Sequence, residues 1–407
     1  MILLLVFVAL VLGYSLVSRR LDGTVVTGPI VFTAAGIAVA LMAPTDLAEG
    51  YGQAIFLHLA ELGLVLLLFT DAARTGLSSL WSIRSLPARL LLLGLPLTVA
   101  LGTAAAWLTL PGLGLLEAAI LAAILAPTDA GLGQVIVTSP SVPPTVREAL
   151  NVEAGLNDGL SVPFLLFFMA VAAAPLEGTA ASLGQFMVEQ LGYGVAVGGA
   201  IGLAGGWLLG QASRRGWMSD VFAQAGVVAL PALCLLVSDQ VAASMFIAAF
   251  VAGLCVQVGF DAAGQHSLAF GEVWGQILNL SVFFLFGIVV VRSATSFDPA
   301  MLAYAVASLT VVRMLPVALV LAGSGLGWPT RMFMGWFGPR GLASIVLGLV
   351  YLEREVHLPG ESTIRQVTIL TVLLSILLHG LSARPGIALY ARLSGAPSGR
   401  RPGSRSR

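Results

Sequence analysis

Three short polar clusters in this sequence carry side chains able to bind and release a cation or a proton. They are Pro127-Thr128-Asp129, then Glu153 with Asn157 and Asp158, then Gly338-Pro339-Arg340-Gly341. A lone arginine, Arg313, stands in the run VVRMLP. All of them interrupt long apolar stretches. A charge at the middle of a bilayer costs at least ~2.5–3.5 kcal/mol on insertion scales, so such residues are rare and point to function. A buried ion pair that only holds helices together would account for Glu153 and one arginine. It does not account for Asp129, Asp158 and a second arginine as well. At 100° per residue, Glu153 and Asn157 share a helical face and Asp158 projects in a neighbouring direction. The rise from Glu153 to Asp158 is about 7.5 Å, so the two acids can serve different roles at different depths. Glu153 suits a lasting arginine partner. Asp158 is left without an assigned counter-charge, and a carboxylate so placed can hold either a proton or a cation.

The elements that must position these groups are helices, two of them broken. In EAAILAAILAPTDAGLGQVIVTS, Pro127 removes a backbone donor in mid-membrane, and Gly131 and Gly133 loosen the chain beyond it. Backbone groups freed by a break are tolerated only where they line a cavity or meet a side chain. Thr128 offers a hydroxyl, and Asp129 a carboxylate that suits the positive end of the following half-helix. The run WFGPRGLASIVLG repeats the device with the opposite charge, because Arg340 suits the negative C-terminal end of a half-helix. With the seventh apolar stretch as a linker, the two breaks fall at corresponding places in two halves. Matched interruptions of this kind point to an inverted-repeat transporter with its site between them.

Composition agrees. The chain has 407 residues, 58% hydrophobic and only 10% charged, with a mean hydropathy of +0.97. A soluble domain has roughly 25% charged residues, so a soluble enzyme is excluded. Long continuous runs, rather than short alternating ones, exclude an outer-membrane barrel. Twenty basic and twenty acidic residues cancel, leaving no nucleic-acid footprint. Every basic residue is arginine, which reads as codon bias. Cys234 and Cys255 lie in apolar runs and are expected to be buried thiols. Thirteen stretches are long enough to cross a bilayer, at about 2–18, 25–43, 53–70, 87–109, 113–138, 144–173, 182–211, 220–238, 240–258, 268–291, 300–322, 328–351 and 364–390. The first lacks a basic leader and is followed by Arg19-Arg20, so it reads as a span rather than a signal peptide. The eighth and ninth are divided only by Ser238-Asp239-Gln240. Placing the C-terminus inside puts 15 arginines in inner loops and tail against 3 outside, Arg292, Arg354 and Arg365. The N-terminus is then outside, in a plasma (inner) membrane. Residues 1–394 form the membrane domain and 395–407 a disordered basic tail, with no soluble regulatory domain appended.

These residues resemble the monovalent cation/proton antiporters, in the NhaP and sodium/proton exchanger branch. The likeness rests on A-P-T-D at 126–129, V-E-A-G-L-N-D-G at 152–159, G-P-R-G-L at 338–342, S-V-F-F-L-F-G at 281–287 and the thirteen spans. It implies an all-α polytopic fold of the NhaA/NhaP kind, with inverted repeats and two interrupted crossing helices. It implies exchange of Na+ or Li+, with K+ less favoured, for H+. Asp158 would be the substrate-binding acid beside Asn157, with Thr128 and Asp129 at the unwound crossing. Glu153 would pair with Arg313, and Arg340 would compensate helix ends. It further implies a homodimer without a cofactor, not an enzyme, serving pH homeostasis. A mobile core would occupy about 87–173 and 300–390, moving against a dimerisation scaffold. Many relatives place a serine after the glutamate as a cation ligand, and this chain has Ala154.

Other readings are weaker. A potassium/proton antiporter of the KefB or KefC type would carry a glutamine-aspartate pair and a nucleotide-binding domain. An intramembrane aspartyl protease needs two carboxylates sharing a water, which leaves Arg313 and Arg340 unexplained and lacks the G-x-G-D motif. A channel or sensor on the same fold is the third. Asp71 reads as an interfacial acid in preference to a residue of the ion path. His58 and His379 are of the one residue type that commonly serves as a pH sensor, and both read instead as interfacial histidines.

Overall fold

The computed structural model describes residues 2–21, 24–42, 53–83, 85–173, 180–260, 268–353 and 358–394. Among them every regular element is helical. Helices α1 (Ile2–Leu21), α2 (Gly28–Met42) and α3 (Gln53–Ile83) make the first three crossings. The fourth joins α4 (Ser85–Arg89) to α5 (Leu95–Thr109) through a π-helical turn at 90–94. The fifth is split into α6 (Leu115–Ile124) and α7 (Ala130–Val137). Four continuous crossings follow: α8 (Pro144–Ala173), α9 (Ala180–Arg214), α10 (Asp220–Gln240) and α11 (Met245–Gly259). After α12 (Leu268–Ser293) come the pairs α13 (Pro299–Leu309) with α14 (Val311–Val320), and α15 (Trp328–Trp336) with α16 (Leu342–Glu353). The chain ends in α17 (Glu361–Ser394). Each of the thirteen expected stretches coincides with one helix or one such pair.

Local chemistry explains the boundaries. Asp298 caps α13 by accepting from Met301 N–H at 2.8 Å, with Pro299 in the first turn. Glu117 reaches back to Gly114 N–H at 2.7 Å at the start of α6. The uncertain division after α10 is a tight turn with Ala242 at φ 52°, closed by Ser244 capping α11. The interruption at Thr310 was not expected, because neither glycine nor proline stands there. The Thr310 hydroxyl donates to Val306 O at 2.7 Å, a back-bond that Thr70, Thr103 and Thr371 also make within continuous helices.

Close helix approach comes from small residues. A Cβ at Gly36 of α2 would overlap the Phe284 carbonyl of α12, and one at Gly287 would overlap that of Thr33. Along α9, Gly198, Gly202 and Gly206 lie against the carbonyls of Ala248, Ala252 and Val256 on α11, a small residue every fourth position. Helix α3 packs on α11 and α12, while α6 packs between α5 and α8 and α13 packs on α17 and α5. Leu4, Leu5, Val8, Leu12 and Leu16 of α1 face outward, as a lipid-facing helix requires. Cys234 is buried and Cys255 half-buried, both as thiols. The tail from 395, Arg84 and Arg354 lie outside the described residues.

Candidate functional site

The two broken crossings meet at their breaks. Asp129 N–H donates to Pro339 O at 2.7 Å, joining one unwound segment to the other. The Asp129 carboxylate then serves two helices. Its Oδ1 accepts from Leu132 N–H at 3.1 Å in the first turn of α7, and its Oδ2 accepts from Leu342 N–H at 2.6 Å at the start of α16. One anion therefore sits at two positive helix ends. Arg340 does the converse with no exposed surface. Its Nε donates to Leu125 O at 2.9 Å, just past the end of α6, and Nη1 to Gly338 O beyond α15. Its own N–H donates to Ser375 Oγ at 2.6 Å on α17. Partial charges of both signs at the crossing are thus met by one acid and one base.

This double cap requires glycine at position 341, where a methyl group would overlap Asp129 Oδ2. Gly341→Ala should cost about 1–3 kcal/mol through overpacking and lower both the thermal midpoint in detergent and exchange. Gly133→Ala, where a Cβ meets nothing within 4 Å, should leave both close to wild type.

Helix α8 brings the remaining groups. Asn157 Nδ2 donates to Thr128 Oγ1 at 2.7 Å, and Asn157 Oδ1 accepts from Thr128 N–H at 3.2 Å. Both ends of the amide are thereby committed to the unwound segment. Glu153 Oε1 lies 2.6 Å from Arg313 Nη2, with each side chain 3% exposed. A Cβ at Gly338 would collide with the Arg313 guanidinium, so that glycine also makes room for the pair. Asp158 differs from both. It is 8% exposed, and among the described residues no donor reaches its Oδ1.

Asp158 and Asp129 line a cavity of about 180 Å³. Its walls include Ala154, Asn279 and Gln276, and it extends to Gln134, Thr138 and Arg74, which are exposed. Asp71 lines the same cavity, half-buried. His379 also departs from expectation, being 1% exposed. Its Nε2 lies 2.9 Å from Trp336 O at the end of α15, and its Nδ1 3.1 Å from Ser375 Oγ. It is therefore a packing partner of the second break. His58 is exposed, as expected of an interfacial residue. Asn279 and Gln276 were not singled out from the sequence. The available signal was a pair of amides three residues apart in an apolar helix.

Two interrupted helices crossing beside a buried carboxylate, with their ends compensated by side chains, define a secondary transporter of the inverted-repeat class. The chain belongs to the sodium/hydrogen exchanger family, whose transmembrane-domain profile matches residues 4–388. It is 27% identical over 346 residues to a K+/H+ antiporter NhaP of Alkalimonas amylolytica, covering 84% of this chain and 58% of that protein. It is 24% identical over 310 residues to Na+/H+ antiporter 2 of Zygosaccharomyces rouxii, covering 68% of this chain and 38% of that one. The chain thus spans about three-fifths or less of the length of these relatives. Its fold is that of the sodium proton antiporter MjNhaP1 from Methanocaldococcus jannaschii, with a TM-score of 0.76 and 19% identity over 96% of this chain and 97% of that one.

Proposed function

We propose that the protein exchanges a monovalent cation for H+ across the membrane, with cation and proton competing for Asp158. The observation that carries this is the contrast among the buried acids: Glu153 has Arg313, Asp129 holds two helix ends, and Asp158, on the cavity wall, has no donor on Oδ1. Thr128 and Asp129 supply further oxygens near the cation, and Asn157 fixes Thr128 in place. The cation is Na+ or Li+. The K+ in the names of the NhaP relatives favours a second reading, K+/H+ exchange, and Ala154 in place of a hydroxyl is compatible with it. Protein in vesicles with an internal pH-sensitive dye distinguishes them: addition of Na+, Li+ or K+ should move protons only for the transported ions. No cation-driven proton movement with any of the three overturns the proposal.

The arginine bias orients the cavity mouth at Arg74 and Thr138 towards the cytoplasm, with the N-terminus outside and a plasma (inner) membrane location. Spans four to six and eleven to thirteen would form the moving core and the others the scaffold of a homodimer.

The stoichiometry follows from the same contrast. One exchangeable carboxylate allows one H+ per cation, an electroneutral cycle. Lowering the pH should weaken apparent cation affinity, because protons occupy the same group. Clamping vesicle potential with potassium and valinomycin, under a Na+ gradient, should leave the equilibrium point of exchange unchanged. A voltage-dependent equilibrium point would mean that a second acid titrates in the cycle, and Asp71 shares the cavity wall with Asp158 and Asp129.

A further inference from the structure

A cation stripped of its water needs several oxygens around it, and this cavity supplies few from the helices that carry the acids. Ala154 offers none, both ends of the Asn157 amide are engaged by Thr128, and the Thr128 hydroxyl and the two Asp129 oxygens placed near the cation each already accept one hydrogen bond. A further neutral oxygen stands on another helix of the cavity wall. Asn279 of α12 is 3% exposed and lines the same cavity as Asp158. Among the described residues no donor reaches its Oδ1. Asn279 Nδ2 and Asp129 Oδ1 both lie beside Gly131, 3.4 Å and 3.0 Å from where its Cβ would stand. The carbonyl oxygen is left for something else. A buried amide oxygen lacking any partner is destabilising, and a bound cation removes that cost.

We propose that Asn279 gives its amide oxygen to the transported cation, completing with Asp158 a site shared between α12 and α8. This rests on the antiport reading above. It makes Asn279 a determinant of cation affinity that takes no part in proton binding. The test is exchange by the full chain in vesicles, measured as KM and maximal rate for each transported ion, with the pH dependence of cation-free thermal unfolding read alongside. Asn279→Ala and Asn279→Leu should raise KM about tenfold, as for the loss of one ligand worth a single decade. Maximal rate should stay within about twofold of wild type, and the pH dependence of cation-free unfolding should not move. Asn279→Asp keeps an oxygen at that place and should bring KM back to the wild-type range at alkaline pH. If both apolar variants exchange with wild-type KM, Asn279 merely packs against Gly131 and the inference is overturned, while the antiport reading stands. If the wild type itself drives no exchange, both fall.

Discussion

Replacing Asp158 with asparagine should abolish cation-driven proton movement and leave a folded protein. The two other acids at the crossing hold structure together: Asp129 caps α7 and α16, and Glu153 is paired with Arg313. Asp158 makes no such contact through Oδ1, so its replacement by an isosteric amide strands no partner. The amide cannot release a proton, and it offers a cation only a neutral oxygen. Exchange should fall to the level of empty vesicles, a loss of at least a hundredfold. The thermal midpoint in detergent should stay at or above that of wild type, because a buried charge has been removed without breaking a bond. Stabilisation by added cation should vanish with activity, since binding to the native state is what raises the midpoint. Substantial sodium- or potassium-driven proton flux in a well-folded Asp158→Asn protein would remove Asp158 from the centre of the mechanism.

What was legible in advance follows a physical division. Charges and proline-glycine breaks inside apolar runs stand out because the bilayer makes them costly, and Thr128, Asp129, Glu153, Asp158, Arg313 and Arg340 all cluster where the broken helices cross. The N-cap of Asp129 on α7 was readable because it is local. Its bond to Leu342 N–H was not, being 213 residues distant in sequence. The need for Gly341 follows from that same distant contact. Neutral amides leave a weaker trace, and Asn279 becomes informative only when the cavity is seen. Asp71 and His379 were placed at the interface because hydropathy gives depth without direction. The first turns into the cavity from α3, and the second packs beneath the end of α15. The break at Thr310 lacks the usual residues, and nothing local in the sequence marks it.

The second large effect belongs to the Glu153–Arg313 pair, and it should appear in stability before activity. Both side chains are 3% exposed and 2.6 Å apart, on α8 and α14, so the pair ties together two helices far apart in sequence. A buried pair need not stabilise relative to apolar residues of the same volume, since desolvation opposes the attraction. Removing one member is different, because the other is left as an unpaired charge in a medium that cannot solvate it. Glu153→Ala or Arg313→Ala should therefore each cost about 3–5 kcal/mol. Arg313 is the more exposed to this penalty: the nearest formal charge besides Glu153 on the second break is Arg340, of the same sign. The double substitution leaves neither charge stranded and should lose less than the sum, with a coupling of up to about 3 kcal/mol. Thermal or denaturant unfolding of the four proteins closes the cycle. Exchange should survive best in the double variant, because Asp158 and the Asp129 caps do not touch the pair through any of their hydrogen bonds. Additive losses would show that the proximity of Glu153 and Arg313 carries no energy. The acid would then have to be held by Arg340, and the assignment of that arginine to the carbonyls of Leu125 and Gly338 would fail with it.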